Sequence, residues 1–287
     1  MKIRKIKRKT FKIRPSGRST DFISPSFGYG CLYNCSYCYM KRHMPRGLSV
    51  ATNTEDILTE INSHVMFAEV EKPNQTHKKY ITYDISCNED FALHAKHHEW
   101  EKIFLFFRDH PIAMGSFATK YVNPDFIFFN PEGKIRIRFS LMPQLKADIH
   151  EPNTSKIIDR IKAINAYVKS GYDVHVNFSP VIVYDGWLND YYKLFQMLND
   201  YVDSAIHANV LSEVIFLTHN ESRHLVNNIN NPIAEQDLWT PNLQETKISQ
   251  YGGKNIRYNY QLKRKYIKDF IDLHDKIIPW NKIRYIF

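Results

Sequence analysis

Three cysteines within eight residues constrain this chain more than any other feature. The segment FGYGCLYNCSYCYMKRH sets Cys31, Cys35 and Cys38 in a CxxxCxxC spacing, with Gly28 and Gly30 just before the first of them. The whole chain has four cysteines, the fourth being Cys87. That is no disulfide framework; it is a loop that gathers thiolates around a metal centre and leaves one thiol over. Three thiolates hold three irons of a [4Fe-4S] cluster and leave the fourth iron open to an outside ligand. Zinc is the competing reading. It needs a fourth ligand, for which His43 is the nearest candidate, but structural zinc usually draws on paired CxxC halves well separated in sequence, and the chain has none.

The rest of the chain supports a sizeable fold. Its 287 residues are 43% hydrophobic and 14% aromatic, enough to bury the core of one large domain and to exclude disorder for most of the length. No run approaches the roughly 18 to 20 uninterrupted apolar residues of a membrane helix, and MKIRKIKRKTFKIRP lacks the apolar core of a signal peptide. A cytoplasmic protein without membrane contact is expected. The formal net charge is +9, and eight of the first 14 residues are basic with none acidic. Such an arm suits phosphate contact, and equally a solvated terminus. DNA is therefore a candidate partner.

Apolar, β-rich runs fall at about 22–27, 80–86, 112–118, 135–140, 172–181 and 213–218. Amphipathic helix patterns separate most of them: one opened by Thr54, one over 97–110, one from Thr154 to Gly171, and one over 187–203. Alternation of this kind predicts a parallel sheet. Chemistry-bearing residues follow the strands: Ser86 and Cys87, Thr119 and Lys120, Ser140, Ser179, then Thr218 and His219. In βα barrels that carboxyl-terminal rim carries the active site. The expectation is an α/β fold, a partial (β/α)6 barrel, with a basic arm over 1–20 and one catalytic domain over 21–287. Its barrel core spans about 21–230 and a helix–strand extension about 231–287. Residues 232–262, rich in Asn, Gln and Gly, read as irregular. His94 and His98 in HAKHH read as a solvated helix start in preference to a metal tract.

The CxxxCxxC loop after a first strand, with Tyr37 before its third cysteine, resembles the radical S-adenosylmethionine superfamily. From about Phe27 onward the chain is similar to the spore photoproduct lyase family within it. The blocks YDISCNED, FATKY, IRIRFS, HEPNTSKIIDRI, KSGYDVHVNFSPVIVYDGW and IRYNYQ follow that family's order. The resemblance implies a [4Fe-4S] cluster on Cys31, Cys35 and Cys38, with S-adenosylmethionine as cofactor. It implies Cys87 as hydrogen-atom donor, Tyr37 and Tyr39 as radical relay, Lys120, Ser140, Tyr37 and His219 as cofactor contacts, and Arg257 and Tyr258 as substrate contacts. It implies a carbon–carbon lyase that reverts a methylene-bridged thymine dimer in DNA, supplied with electrons by a donor such as flavodoxin or ferredoxin. Two other readings stay open: a radical enzyme acting on another nucleobase or small molecule, and a non-enzymatic nucleic-acid-binding protein with a structural metal. Two features depart from the family. Only 30 residues precede Cys31, and Asn88, Glu89 and Asp90 follow Cys87, which reads as negative charge near a DNA-facing surface.

Overall fold

Strands that are buried on both faces read as continuous apolar runs, and this chain's central strands do so even where arginine interrupts them. The computed structural model of the protein describes residues 3–38, 40, 47–67, 72–74, 76–248 and 253–287. Tyr39 and His43 lie outside them. The chain divides into two compact units: Met1–Leu32, Met40–Phe139 and Ala163–His175 form the first; Tyr33–Tyr39, Ser140–Lys162 and Val176–Phe287 form the second.

In chain order the first unit holds β1 (Arg4–Ile6), β2 (Arg14–Pro15), β3 (Phe22–Ile23), β4 (Gly28–Tyr29), β5 (Ser49–Ala51), α1 (Thr54–Phe67), β6 (Ile81–Asp84), α2 (Phe91–His94), α3 (Trp100–Asp109), β7 (Ala113–Thr119) and nearly all of β8 (Ile135–Ser140). Parallel pairing joins β3 to β6, β6 to β7 and β7 to β8, with Phe22 opposite Tyr83, Ile81 opposite Ala113, and Gly115 opposite Ile135. All six residues of β8 are buried. Its two arginines go inside because each meets a carboxylate: Arg138 lies 3.0 Å from Asp84, and Arg136 lies 2.7 Å from Asp173. Each pairing offsets a desolvation cost of several kcal/mol. Helix α1 turns Ile57, Leu58, Ile61 and Val65 inward, and α3 does the same with Ile103, Phe104 and Phe107. Phe107 reaches β7 at Gly115, where a Cβ would stand 2.9 Å from its ring.

The second unit carries α4 (Gln144–His150), the first part of α5 (Ile157–Lys169), most of β9 (Asp173–Val181), α6 (Trp187–Tyr201), β10 (Leu211–Phe216), β11 (Thr218–Asn220), α7 (Glu221–Asn230), α8 (Pro232–Leu238), β12 (Gln244–Ile248), β13 (Lys254–Tyr258), α9 (Tyr260–Ile277) and β14 (Lys282–Ile286). Strand β14 pairs parallel with β10, and β11, β13 and β12 make a small antiparallel sheet. Tyr191 and Phe195 of α6 close on Phe270 of α9 at ring separations of 5.2 and 5.4 Å.

Three expectations change. The described residues of 232–262 are not irregular: they supply α8, the β12–β13 pair and the start of α9. The basic arm is no loose terminus, for β1 pairs with β5, β2 pairs with β3, and Arg8 and Asn53 exchange two hydrogen bonds. His94 is not solvated but 2% exposed, and the His98 side chain is equally buried.

Candidate active site

In the first unit, the backbone on either side of Cys31 is held by residues that follow Cys87. The Gly30 N–H donates to the Asn88 carbonyl at 2.9 Å, and the Leu32 N–H donates to His94 Nε2 at 3.3 Å. His94 Nδ1 then faces Glu89 Oε2 at 3.0 Å, and His98 Nε2 faces the same oxygen at 2.9 Å. Accepting at Nε2 leaves His94 its Nδ1 proton to donate. Gly28 is required here, since a Cβ would lie 2.3 Å from the Glu89 carboxylate. Burial alone would raise the Glu89 pKa, but His98 and His94 outweigh it and hold the carboxyl at about 2. Glu89 is 3% and Asp90 7% exposed. The acidic stretch after Cys87 is therefore internal structure, which corrects the reading of it as surface charge.

Asp90 caps α2, accepting from the Leu93 N–H, and also takes the Thr119 hydroxyl at 2.7 Å and the Lys120 N–H at 2.9 Å. It thereby fixes the end of β7, and with it half-buried Lys120, against the loop that carries Cys87. Cys87 is half-buried, and Arg14 Nη2 donates toward its sulfur at 3.7 Å.

In the second unit, Cys38 N–H closes a turn on the Cys35 carbonyl at 3.2 Å. Ser36, between them, is 1% exposed and bound at every polar atom. Its N–H donates to the His150 carbonyl, its hydroxyl meets His150 Nδ1 at 2.8 Å, and its carbonyl accepts from Arg223 Nε and Asn227 Nδ2 at 2.8 and 2.9 Å. Asn227 also donates to Glu235, which faces His219 and His224. The Tyr37 hydroxyl donates to Glu151, whose other oxygen is 2.9 Å from Arg160. Burial, then Glu151 and the sulfurs of Cys35 and Cys38, push the Tyr37 pKa well above that of an ordinary phenol.

Ser140 ends β8, 2% exposed, its carbonyl taken by Arg160 Nη1 at 2.7 Å. His219 is 1% exposed with Nε2 on Glu235, and its Nδ1 has no hydrogen-bond partner among the described residues. The same holds for Oδ1 of Asn177, 6% exposed on β9. Arg257 pairs with Glu245 at 2.8 Å across β12 and β13. Tyr258 is 1% exposed, and its hydroxyl accepts the Val183 N–H at 2.8 Å. Sequence reasoning passed over Glu151, Arg160, Asn177, Arg223 and Glu235, and took Glu89 for surface charge. The one usable signal was an asparagine inside the apolar run YDVHVNFSPV.

The donors suit the implied cofactors. Three sulfur ligands on one short loop match a cubane with one iron open. Buried polar atoms awaiting a partner, as at Asn177 and His219, suit a polar ligand such as S-adenosylmethionine. Among the described residues no three His, Cys, Asp or Glu side chains already stand around one point as a metal site, so the fit rests on donor type and spacing.

Known proteins agree. The chain is 25% identical over 285 residues to the spore photoproduct lyase of Bacillus subtilis (strain 168), covering 97% of this chain and 80% of that one. It is 26% identical over 212 residues to that of Geobacillus sp. (strain Y412MC61), covering 72% and 60%. A solved spore photoproduct lyase complexed with dinucleoside spore photoproduct matches with a TM-score of 0.87 at 20% identity, over 99% of this chain and 82% of that one. A mutant with bound AdoMet and dinucleoside spore photoproduct gives 0.87 at 20%, over 98% and 81%. These likenesses carry the fold, the mixed α/β partial barrel that the strand–helix alternation predicts. The family model for spore photoproduct lyase matches residues 5–287, and this chain belongs to that family.

Proposed function

We propose that the protein is a radical S-adenosylmethionine lyase that reverts the methylene-bridged thymine dimer of DNA to two thymines. The observation that carries this reading is the family match over residues 5–287, in a chain that keeps the CxxxCxxC loop and a fourth cysteine after β6. Cys31, Cys35 and Cys38 would hold the [4Fe-4S] cluster. Lys120, Ser140 and His219, with Tyr37, would bind S-adenosylmethionine. When bound, the two supply a 5'-deoxyadenosyl radical able to take hydrogen from C6 of the bridged pair, after which the methylene bond fragments.

The protein's own work follows from its side chains. Cys87 returns a hydrogen atom from its thiol to the thymine methyl radical, because an S–H bond is weak enough to yield one to carbon. The Arg14 N–H aimed at its sulfur occupies a lone pair and leaves the thiol hydrogen to point elsewhere. Tyr39 and Tyr37 carry the radical on from Cys87. The Tyr37 proton is already shared with Glu151, so that carboxylate is placed to take it as the electron leaves. Arg257 and Tyr258 are proposed to serve the substrate side, Arg257 through charge and Tyr258 by bracing β13 from within.

DNA is the proposed macromolecular partner, with lysine and arginine contacts to phosphate supplying most of the affinity. Extrusion of the dimer costs a few kcal/mol, least at a damaged and poorly stacked site. The cytoplasm is the proposed setting and a flavodoxin- or ferredoxin-like protein the proposed electron donor. No helix of the described residues is long and apolar enough to cross a membrane. Glu89 and Asp90 are buried, so their charge does not stand on the surface to oppose phosphate contact.

The test is anaerobic reconstitution followed by reduction in the presence of S-adenosylmethionine and dinucleoside spore photoproduct. Conversion to thymidylyl-thymidine is expected. Cofactor cleavage without conversion, together with turnover on another nucleic acid, would move the substrate assignment elsewhere.

A further inference from the structure

Helix α7 presents a guanidinium to the cysteine loop. Its first turn is set by Asn220, whose side chain accepts the Arg223 N–H at 2.7 Å. From there Arg223, half-buried, sends Nε to the Ser36 carbonyl at 2.8 Å, and one turn later Asn227 sends Nδ2 to the same oxygen at 2.9 Å. That carbonyl lies in the turn between Cys35 and Cys38. Burial works against the Arg223 charge, while the sulfurs of Cys38 and Cys35 and the carboxylate of Glu235 work in its favour. A guanidinium stays charged throughout the working pH range, so the loop has a permanent cation beside it.

We propose that Arg223 is a positioning residue of the cysteine loop that also sets the reduction potential of the cluster the loop carries. The inference rests on the cluster assignment of the proposed function. A cubane on three thiolates is an anion that gains one more negative charge on reduction, and a fixed positive charge close by favours the more negative form. Net charge and hydrogen bonding around the sulfurs are what tune such potentials. Arg223 contributes in two ways: its charge raises the potential, and its bond to Ser36 turns the negative end of that carbonyl dipole toward α7. Asn227 makes the second bond without bringing charge, so the two effects can be separated within one helix.

The experiment is an anaerobic redox titration of the reconstituted cluster, followed by electron paramagnetic resonance, on the wild-type protein and on Arg223→Gln, Arg223→Lys and Asn227→Ala. Arg223→Gln should shift the midpoint to more negative potential, while Arg223→Lys and Asn227→Ala should stay near wild type. If Arg223→Gln holds no cluster, a full cluster at wild-type potential in Arg223→Lys supports the inference, and loss of the cluster in both overturns it. A wild-type cluster whose potential ignores Arg223→Gln, or shifts as far in Asn227→Ala, overturns the inference and leaves the proposed function standing. A wild-type protein that binds no cluster overturns both.

Discussion

Single residues in this chain take their meaning from what stands against them. Cys87 could be a small buried hydrophobe, the commonest fate of an unbridged cysteine. It is instead half-buried, with a guanidinium N–H directed at its sulfur. We expect Cys87→Ala to bind cofactors and cleave S-adenosylmethionine like wild type, while clean thymine product gives way to adducts and stalled intermediates in chromatography with mass detection. An unchanged product distribution would assign the residue to packing. The cysteines could be singled out from sequence because the residue type is rare and the spacing local, and Lys120 because it follows the apolar run 112–118 in the block FATKY that resembles the family. Glu151 could not, because it is defined by a partner far away in the chain, Tyr37 across 114 residues; Glu89 and Glu235 have histidine partners close in sequence, but only their burial sets them apart. Nothing in a local window tells a buried, paired glutamate from a solvated one.

Elements became legible to the extent that they bury apolar side chains at a regular period. Strand β8 falls on the predicted 135–140 residue for residue, and the patterns at Thr54 and at 187–203 became α1 and α6. Helix α7 went unseen for the opposite reason. Its apolar residues Leu225, Val226 and Ile229 are exposed, and its inward face is the polar pair Arg223 and Asn227. Hydrophobic periodicity cannot find a helix whose task is to hold a peptide carbonyl. Strand β12 is half-exposed or exposed along its length, so its composition resembles a loop.

Two predictions belong at this scale. The Arg160 and Glu151 side chains are 0% and 1% exposed. Removing one partner strands a buried charge, so Arg160→Met should cost about 3–5 kcal/mol in denaturant unfolding, partly recovered by adding Glu151→Gln. A loss near zero would mean the pair is solvated in solution. The loop between β6 and α2 depends on ionised Glu89, whose pKa falls from 4.5 unfolded to about 2 folded. A depressed carboxyl contributes stability that is complete above its unfolded pKa and disappears as pH falls through the folded one. Wild type should therefore lose its advantage over Glu89→Gln as pH falls from 4.5 to 2, and a pH-independent difference would contradict the pairing.

At the scale of the whole molecule, alternation of strand and helix anticipated the α/β fold that the solved relatives share, whereas the division into two units left no trace in composition. The formal charge of +9 bears on affinity. Binding to a lesion-bearing duplex should weaken linearly in log K against log salt, each neutralised phosphate contributing about 0.9 to the slope. A salt-independent affinity would remove the phosphate contacts from the account. The most direct test of the central claim follows from the exchangeability of a thiol proton. The reduced, reconstituted enzyme should be supplied with dinucleoside spore photoproduct in deuterium oxide, and the product examined by mass spectrometry. We predict thymidylyl-thymidine with one deuterium in the newly formed methyl group, lost in Cys87→Ala; a repaired product without deuterium, or no repaired product from a protein that cleaves its cofactor, would contradict the account.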